Sequence, residues 1–435
     1  MATEFTPGSL KINCDYRECC GLPRKAYLII SAIIIISMAW KLAQPLYFQL
    51  IALPYDDFCW SEFLINFEGG FVRRGLIGEL LYFFSMSTGL QPAWIFVPVC
   101  VIAYIFVTWF LYNKFKGYGI IWWLVFSPLL CGHTTDLIRK DYIMYCFIIG
   151  VFTILKKYRD STPRNILVTL LIIIGLLIHE AFIFYALPIV ALTFYSKRES
   201  RHINLALIAT ICLSFLTLCH FKGDQSTALT IHNSWKGIIP DWTEFDPNQM
   251  NSIYAIGWES INTFKFHLKL NFVSPTFGLS SILFRLIGYM FVYYFAINAP
   301  VILRSNTKSK DLSAETIGAT FLVLSFCLIP MFTILSCDYA RLYQYITVTT
   351  ACAYMILGHR TLTNLLPKRI ISISGFINRG LNRFLIPNKA LLLFMLFAFC
   401  PSGNSAYSIY EESLLGSLCG LFGYILHSTL YSLTA

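Results

Sequence analysis

The chain has 435 residues, of which 57% are hydrophobic and only 13% charged, and its formal net charge is +10. This composition excludes an ordinary soluble globular protein, because the apolar residues come in runs long enough to cross a hydrocarbon layer of about 30 Å. The basic residues stand in short clusters between these runs, which is typical of membrane-protein loops and argues against a nucleic-acid partner.

The apolar runs predict an all-α, polytopic membrane protein with about eleven transmembrane helices. A tail of residues 1–25 precedes a single membrane domain that covers residues 26–435. We expect spans at about residues 26–53, 93–113, 118–130, 142–155, 165–178, 181–196, 203–220, 280–303, 313–335, 342–358 and 390–400, with a further one within 414–433.

Lysine and arginine orient these spans, because the cytoplasmic loops of membrane proteins carry an excess of both. Most of the 33 basic residues lie in the N-terminal tail and in alternate loops. This distribution predicts a cytoplasmic N-terminus and a basic cytoplasmic loop at 359–389, which is long enough for one amphipathic helix on anionic lipid. Loops 54–92 and 221–279 are then expected on the outer face.

Every strongly polar cluster that interrupts the apolar runs falls on that outer face. Because charge in or beside a membrane is costly, we expect these clusters to form a shared site. They comprise Asp56-Asp57, Glu68, Arg73-Arg74, the stretch His133–Asp141, His179-Glu180, and Asp338 with Arg341.

Asp56 and Asp57 directly follow the first span and allow two interpretations. An aspartate pair can cap a helix that begins at Phe58. Alternatively, repulsion between adjacent carboxylates raises the pKa of one of them, so that it can act as a general base. Both hold if one aspartate caps the helix and its neighbour faces a substrate.

Arg73 and Arg74 lie in a segment, Trp60 to Ser87, whose charges rule out a span. This segment predicts interfacial helices joined at Gly69-Gly70. The two guanidinium groups suit an anion such as phosphate, and the alternative is an internal salt bridge with Glu68 or Glu79.

Arg139 and Lys140 contradict the positive-inside rule on a short outer loop, so we expect an anionic partner. Either Asp136, Asp141 and Glu180 neutralise them within the protein, or a lipid phosphate does so.

His179-Glu180 resembles half of a zinc HExxH motif, but Ile183 stands where the second histidine belongs, so no zinc site is expected. The pair is predicted to join neighbouring helices, with a role in holding an acceptor hydroxyl as the alternative. Asp338 and Arg341 are three residues apart and are expected to pair on one helical face.

An acidic pair in the first outer loop, followed by interfacial helices and many spans, resembles the GT-C fold membrane glycosyltransferases. Within that group, the size and layout are similar to the bacterial O-antigen glucosyltransferases that modify lipopolysaccharide serotype. The resemblance implies an inner-membrane protein that moves a hexose such as glucose, with inversion, from polyprenyl phosphate to a glycan or lipopolysaccharide acceptor at the periplasmic face.

The resemblance also implies roles for individual residues. Asp56 or Asp57 would be the general base, and Arg73-Arg74 or Arg139-Lys140 would hold the lipid phosphate. Members of this group differ in their use of metal, so a divalent cation such as Mg²⁺ or Mn²⁺ stays open as a cofactor. Residues that would bind the acceptor or support the site are Glu68, Asp136, Asp141, His179, Glu180, Asp338 and Arg341.

Three other functions compete with this one. An O-antigen polymerase would share the many spans, the outer arginines and a large outer loop. A transporter of polysaccharide or lipid-linked glycan would need charge in mid-span, for which Lys41 and Arg285 are the basic candidates, together with an internal repeat. A scaffold protein would leave the outer charges unexplained.

Overall fold

The computed structural model describes residues 24–51, 53, 55–115, 124–126, 129–130, 137–196, 200–240, 242–246, 251–258, 264–265, 268, 279–305, 314–329 and 339–385. Within these residues the protein contains 14 α-helices, two short 3₁₀ helices and no strand, which confirms the all-α prediction. The spans expected near residues 390–400 and 414–433, and most of the one at 118–130, lie outside the described residues.

The helices follow the apolar runs closely, usually to within three residues at each end. Their bounds are α1 Arg24–Ile51, α2 Phe58–Ser61, α3 Gly75–Thr88, α4 Ala93–Phe115, α5 Asp141–Lys157, α6 Thr162–Ile178, α7 Phe182–Tyr195, α8 Arg201–His220, α9 Gln225–Ser234, α10 Leu279–Ser305, α11 Ala314–Cys327, α12 Tyr339–Leu357, α13 His359–Leu365 and α14 Lys368–Leu385. The 3₁₀ helices are Glu62–Leu64 and Tyr254–Gly257.

Among the described helices two, α4 and α8, are long and apolar enough to cross a membrane. Both turn large apolar side chains outward, including Ile102 and Trp109 of α4 and Leu213 and Leu216 of α8. The described part of the chain also contains five shorter apolar helical segments of 10–17 residues, namely Leu28–Ala39, Thr162–Ile178, Phe182–Tyr195, Ile287–Val301 and Ala314–Cys327.

The larger hydrophobic core is built by helix packing, in which α5 contacts α4, α6 and α12. The start of α5 at Asp141 lies beside the end of α6 and the starts of α7 and α12. Four helix ends therefore meet at one level of the bundle. At the opposite end, Lys156 Nζ donates a hydrogen bond to Leu357 O at 3.2 Å. α5 and α12 have 17 and 19 residues, which at 1.5 Å per residue separates these two levels by about 25–28 Å.

A second, smaller core joins two loops that are distant in the sequence. We call them the first loop, residues 55–92, and the second loop, residues 221–258. Trp235 Nε1 donates to Leu64 O at 2.8 Å, and Asn66 Nδ2 donates to Ser234 Oγ at 2.8 Å. The two loops therefore pack against each other at one end of the helices.

Close backbone contact fixes α3 within the first loop. A Cβ atom added at Gly78 would lie 1.8 Å from Ile65 O, so only glycine permits this approach. The segment between Phe58 and Thr88 is thus folded back on itself.

The basic loop 359–389 forms two helices in its described part, rather than the one that was expected. Pro367 lies between them, and its missing N–H donor cannot continue α13. α14 packs against α11 along one face.

Candidate functional site

Nine polar side chains from distant parts of the chain converge where the ends of α5, α6, α7 and α12 meet the first loop. We call this group the charged cluster. Its members are Glu62, Arg73, Arg74, Arg139, Lys140, Asp141, His179, Glu180 and Arg341.

Arg74 lies at the centre of the charged cluster. Its Nε and Nη2 donate to both carboxylate oxygens of Glu180 at 2.6–3.1 Å, and its Nη1 lies 3.3 Å from Glu62 Oε1. Lys140 Nζ donates to Arg74 O at 2.9 Å. The backbone of Arg74 has φ 65°, a left-handed conformation that a non-glycine residue adopts at a cost of about 1–3 kcal/mol and that is concentrated at functional sites.

Arg73 is bound less completely than its neighbour. Its Nη1 lies 3.4 Å from Glu180 Oε1, and a third of its side chain is exposed. Its backbone N–H donates to Phe221 O at 3.0 Å, which ties the first loop to the end of α8. Among the described carboxylates only Glu180 pairs with Arg73, so most of its five N–H donors can serve water or a ligand.

Arg341 holds Asp141 through a bidentate ion pair, with Nε and Nη2 donating at 2.7 and 2.5 Å. The expected partner of Arg341, Asp338, lies outside the described residues, as does Asp136. The structure therefore brings Asp141 and Arg341 into the same site, although 200 residues separate them.

His179 is held as a neutral imidazole. The backbone N–H of Ala181 donates to His179 Nδ1 at 3.1 Å, so the ring proton belongs on Nε2, which lies 3.5 Å from Glu62 Oε1. Burial and the neighbouring Arg74 lower the pKa of His179 to about 4, against the opposing effect of Glu180.

The other titrating groups remain charged near neutral pH. Burial lowers the pKa of Lys140 to about 8, although Glu62 opposes this shift. Burial alone would raise the pKa of Glu180, but Arg74, together with Arg73, outweighs it and holds that pKa well below its usual range. The pKa of Glu62 is lowered in the same way by Lys140 and Arg74, again against burial.

The charged cluster has an excess of positive charge among the residues that the structure describes. Five basic side chains face three carboxylates, and His179 is neutral. Arg73 is one third exposed, so an anionic ligand can reach its guanidinium group.

Asp57 caps a helix, as one of its two interpretations predicted. Its Oδ1 accepts the backbone N–H of Cys59 at 2.8 Å at the start of α2. Asp56 instead contacts the second loop, where its Oδ1 accepts from Thr243 Oγ1 at 3.0 Å and its backbone O from Asn251 Nδ2 at 3.4 Å. Both aspartates are half-buried.

The expected internal salt bridge of the arginine pair exists, but with other partners. Glu79 Oε2 accepts the backbone N–H of Phe67 at 2.8 Å, and Glu68 is exposed and forms no ion pair with a described residue. Glu62, which is 3% exposed, was not among the expected site residues. The sequence did indicate Glu62, because a lone carboxylate in an apolar run needs a partner.

A hydrophobic groove of about 350 Å³ lies between α6 and α8. Its hydroxyl groups are used within α8, since Thr210, Ser214 and Thr217 each donate to the carbonyl four residues earlier. Phe71 closes one part of the groove, two residues before Arg73. The remaining lining residues are Ile173, Leu177, Leu213 and Leu218.

Comparisons with known proteins give no relative for this chain: no protein-family model, curated protein or solved structure matches it. In the described part of the chain, no three His, Cys, Asp or Glu side chains are grouped closely enough to hold a metal ion. A divalent cation at the acidic pair stays a prediction.

Proposed function

We propose that this chain is a multi-pass inner-membrane glycosyltransferase of the GT-C type. It would move a hexose such as glucose from polyprenyl phosphate to a glycan or lipopolysaccharide acceptor at the periplasmic face, with inversion. The observation that carries the proposal is Arg73, whose side chain is one third exposed and pairs with Glu180 alone among the described carboxylates, two residues from Phe71 in the lining of a hydrophobic groove.

The membrane placement is supported by α4 and α8, which expose apolar side chains that water would solvate poorly. The sidedness is supported by the two levels of the helix bundle. The charged cluster occupies one level, and Lys156, Lys157 and the basic α14 follow the other helix ends. By the positive-inside rule the charged cluster faces the periplasm.

The donor fits the arrangement of Arg73 and the groove. A polyprenyl phosphate has an anionic head and a long hydrocarbon chain. Arg73 would bind the phosphate, and the groove beside Phe71, Leu213 and Leu218 would take the first isoprene units.

The reaction needs a base for the acceptor and charge stabilisation for the leaving group. We assign the base to Asp56, because Asp57 is used as a helix cap. Asp56 would take the proton of the acceptor hydroxyl, whose oxygen forms a bond to the anomeric carbon as the bond from that carbon to the phosphate oxygen breaks. Arg73 would stabilise the negative charge on the departing polyprenyl phosphate.

The test is transfer of radiolabelled hexose from polyprenyl phosphate to lipopolysaccharide by the purified protein. We expect Asp56→Asn to lower the rate by about 10²–10⁴-fold, whereas Asp57→Asn keeps a good helix cap and most of the activity. Chain lengthening in place of single-sugar transfer would indicate the polymerase. Movement of lipid-linked glycan across vesicles without transfer would indicate the transporter, and full activity of Asp56→Asn would exclude Asp56 as the base.

A further inference from the structure

α14 carries a basic surface that sugar transfer does not use. Its sequence contains four basic residues and no acidic one. Lys368, Arg369, Arg379 and Arg383 are all exposed, and Phe376, which is 73% exposed, stands among them. At 100° per residue these five side chains fall within one arc of about 100° on the helix surface.

The opposite face of α14 is fixed to the helix bundle. The hydroxyl of Tyr294 lies 2.9 Å from Ser374 Oγ and 3.1 Å from Asn378 Oδ1, and Asn378 Nδ2 donates to Ala314 O at 2.8 Å. Ser374 and Asn378 are buried. Because this polar contact sets the rotation of α14, the basic arc cannot turn inward.

Within the described chain, none of the four basic residues forms an ion pair with a carboxylate. Glu315 approaches α14 at Gly375, beside the edge of the basic arc, without forming an ion pair with a basic residue of α14. Among the described residues the basic arc thus has no carboxylate partner, and an aromatic residue stands near its middle.

The position of α14 in the bundle is equally informative. It follows the end of α12 that is opposite to Arg341, so it lies at the helix level away from the charged cluster. The two levels are separated by about one hydrocarbon thickness. In a membrane, α14 would therefore lie at the headgroup layer of the leaflet opposite to the charged cluster.

We propose that the basic arc of α14 binds anionic phospholipid headgroups, with Phe376 inserted between them. The charges are complementary to phosphate, and an exposed phenylalanine amid basic residues is the pattern of helices that lie in a membrane interface. The proposal rests on membrane insertion of the bundle but is independent of sugar transfer.

The test uses the full-length protein in neutral detergent, titrated with phosphatidylglycerol or phosphatidylcholine, with bound lipid counted by native mass spectrometry. We expect preferential binding of phosphatidylglycerol. Each basic residue at an anionic surface contributes about fivefold in affinity, so Arg369→Gln/Arg379→Gln/Arg383→Gln should weaken binding on the order of 100-fold. Phe376→Ser should weaken it by about tenfold.

The matched control is Lys114→Gln/Lys157→Gln/Arg159→Gln, which removes the same charge from exposed positions on other helix ends. It should lose clearly less affinity than the α14 variant, whose cations share one arc, and an equal loss in both triple variants would overturn a specific site on α14. Equal binding of both lipids by the wild type would overturn the proposal as well. Tighter binding of soluble polyglutamate than of phosphatidylglycerol, with no effect of Phe376→Ser, would show that the arc takes an acidic protein instead.

Discussion

Arg74 and Glu180 are 106 residues apart in the chain, yet Arg74 Nη2 donates to Glu180 Oε1 at 2.6 Å. Both side chains are largely buried, so removal of either one leaves a charge without its partner in a poorly hydrated site. We expect Glu180→Ala to lower the free energy of unfolding by about 3–5 kcal/mol, measured by denaturant titration. The exposed Glu68→Ala should change it by about 0.5 kcal/mol or less, and equal effects of the two variants would contradict a structural role for the pair.

Arg73 and Arg74 are adjacent but should respond differently to lysine. Arg74→Lys loses the bidentate contact with Glu180 and should reduce stability. Arg73→Lys should leave stability nearly unchanged but weaken binding of polyprenyl phosphate at least about tenfold, because a lysine ammonium cannot make a bidentate phosphate contact. Unchanged affinity in Arg73→Lys, measured in detergent with labelled lipid, would remove Arg73 from the phosphate site.

Gly78 and Gly150 provide a matched pair of glycine substitutions in helices. Alanine at 78 would place Cβ 1.8 Å from Ile65 O, so α3 must move away from the backbone at Ile65. We expect Gly78→Ala to destabilise the protein by more than about 3 kcal/mol. Gly150 has open space around its Cβ position, and Gly150→Ala should stabilise α5 by about 0.5–1 kcal/mol. Similar thermal midpoints for the two variants would disprove the close approach at Gly78.

His179 should make stability depend on pH. In the folded protein the pKa of His179 is about 4, whereas a histidine in the unfolded chain takes up a proton near pH 6.5. Between these values the unfolded state binds more protons, so the free energy of unfolding falls as the pH falls, by on the order of 3 kcal/mol over the window. His179→Asn keeps an acceptor for the Ala181 amide and should flatten this dependence. A variant with the wild-type slope would show that other groups cause it.

The convergence of the charged cluster could be predicted from the sequence, but its pairing could not. Arg74, Lys140 and Glu180 were expected on one side of the membrane. Each apolar run of sufficient length crosses the membrane, so successive loops emerge on alternate sides. Which carboxylate meets Arg74 depends on how α6 packs beside the first loop. Glu180 lies within 3 Å of Arg74, whereas the nearer residue in sequence, Glu79, is used by the Phe67 amide.

The roles of the acidic pair were predictable only in part. Helix propensity and the position of Phe58 predicted a cap, and Asp57 provides it. The contact of Asp56 with Thr243 joins residues 187 apart and depends on the second loop, whose fold has no periodic pattern to read. Glu62 was missed for a similar reason, since a carboxylate in an apolar run shows a need for a partner without showing its identity.

The ion pair of Asp141 and Arg341 can form only late in the synthesis of the chain. A ribosome that adds about 5–20 residues per second needs roughly 10–40 s to make the 200 residues that separate the two. During this interval the carboxylate at the start of α5 lacks Arg341 and has water and the neighbouring Arg139 to stabilise it. α5 and α12 can therefore complete their packing only late in translation, and a nascent chain that stalls before Arg341 exposes an unfinished helix end to quality control.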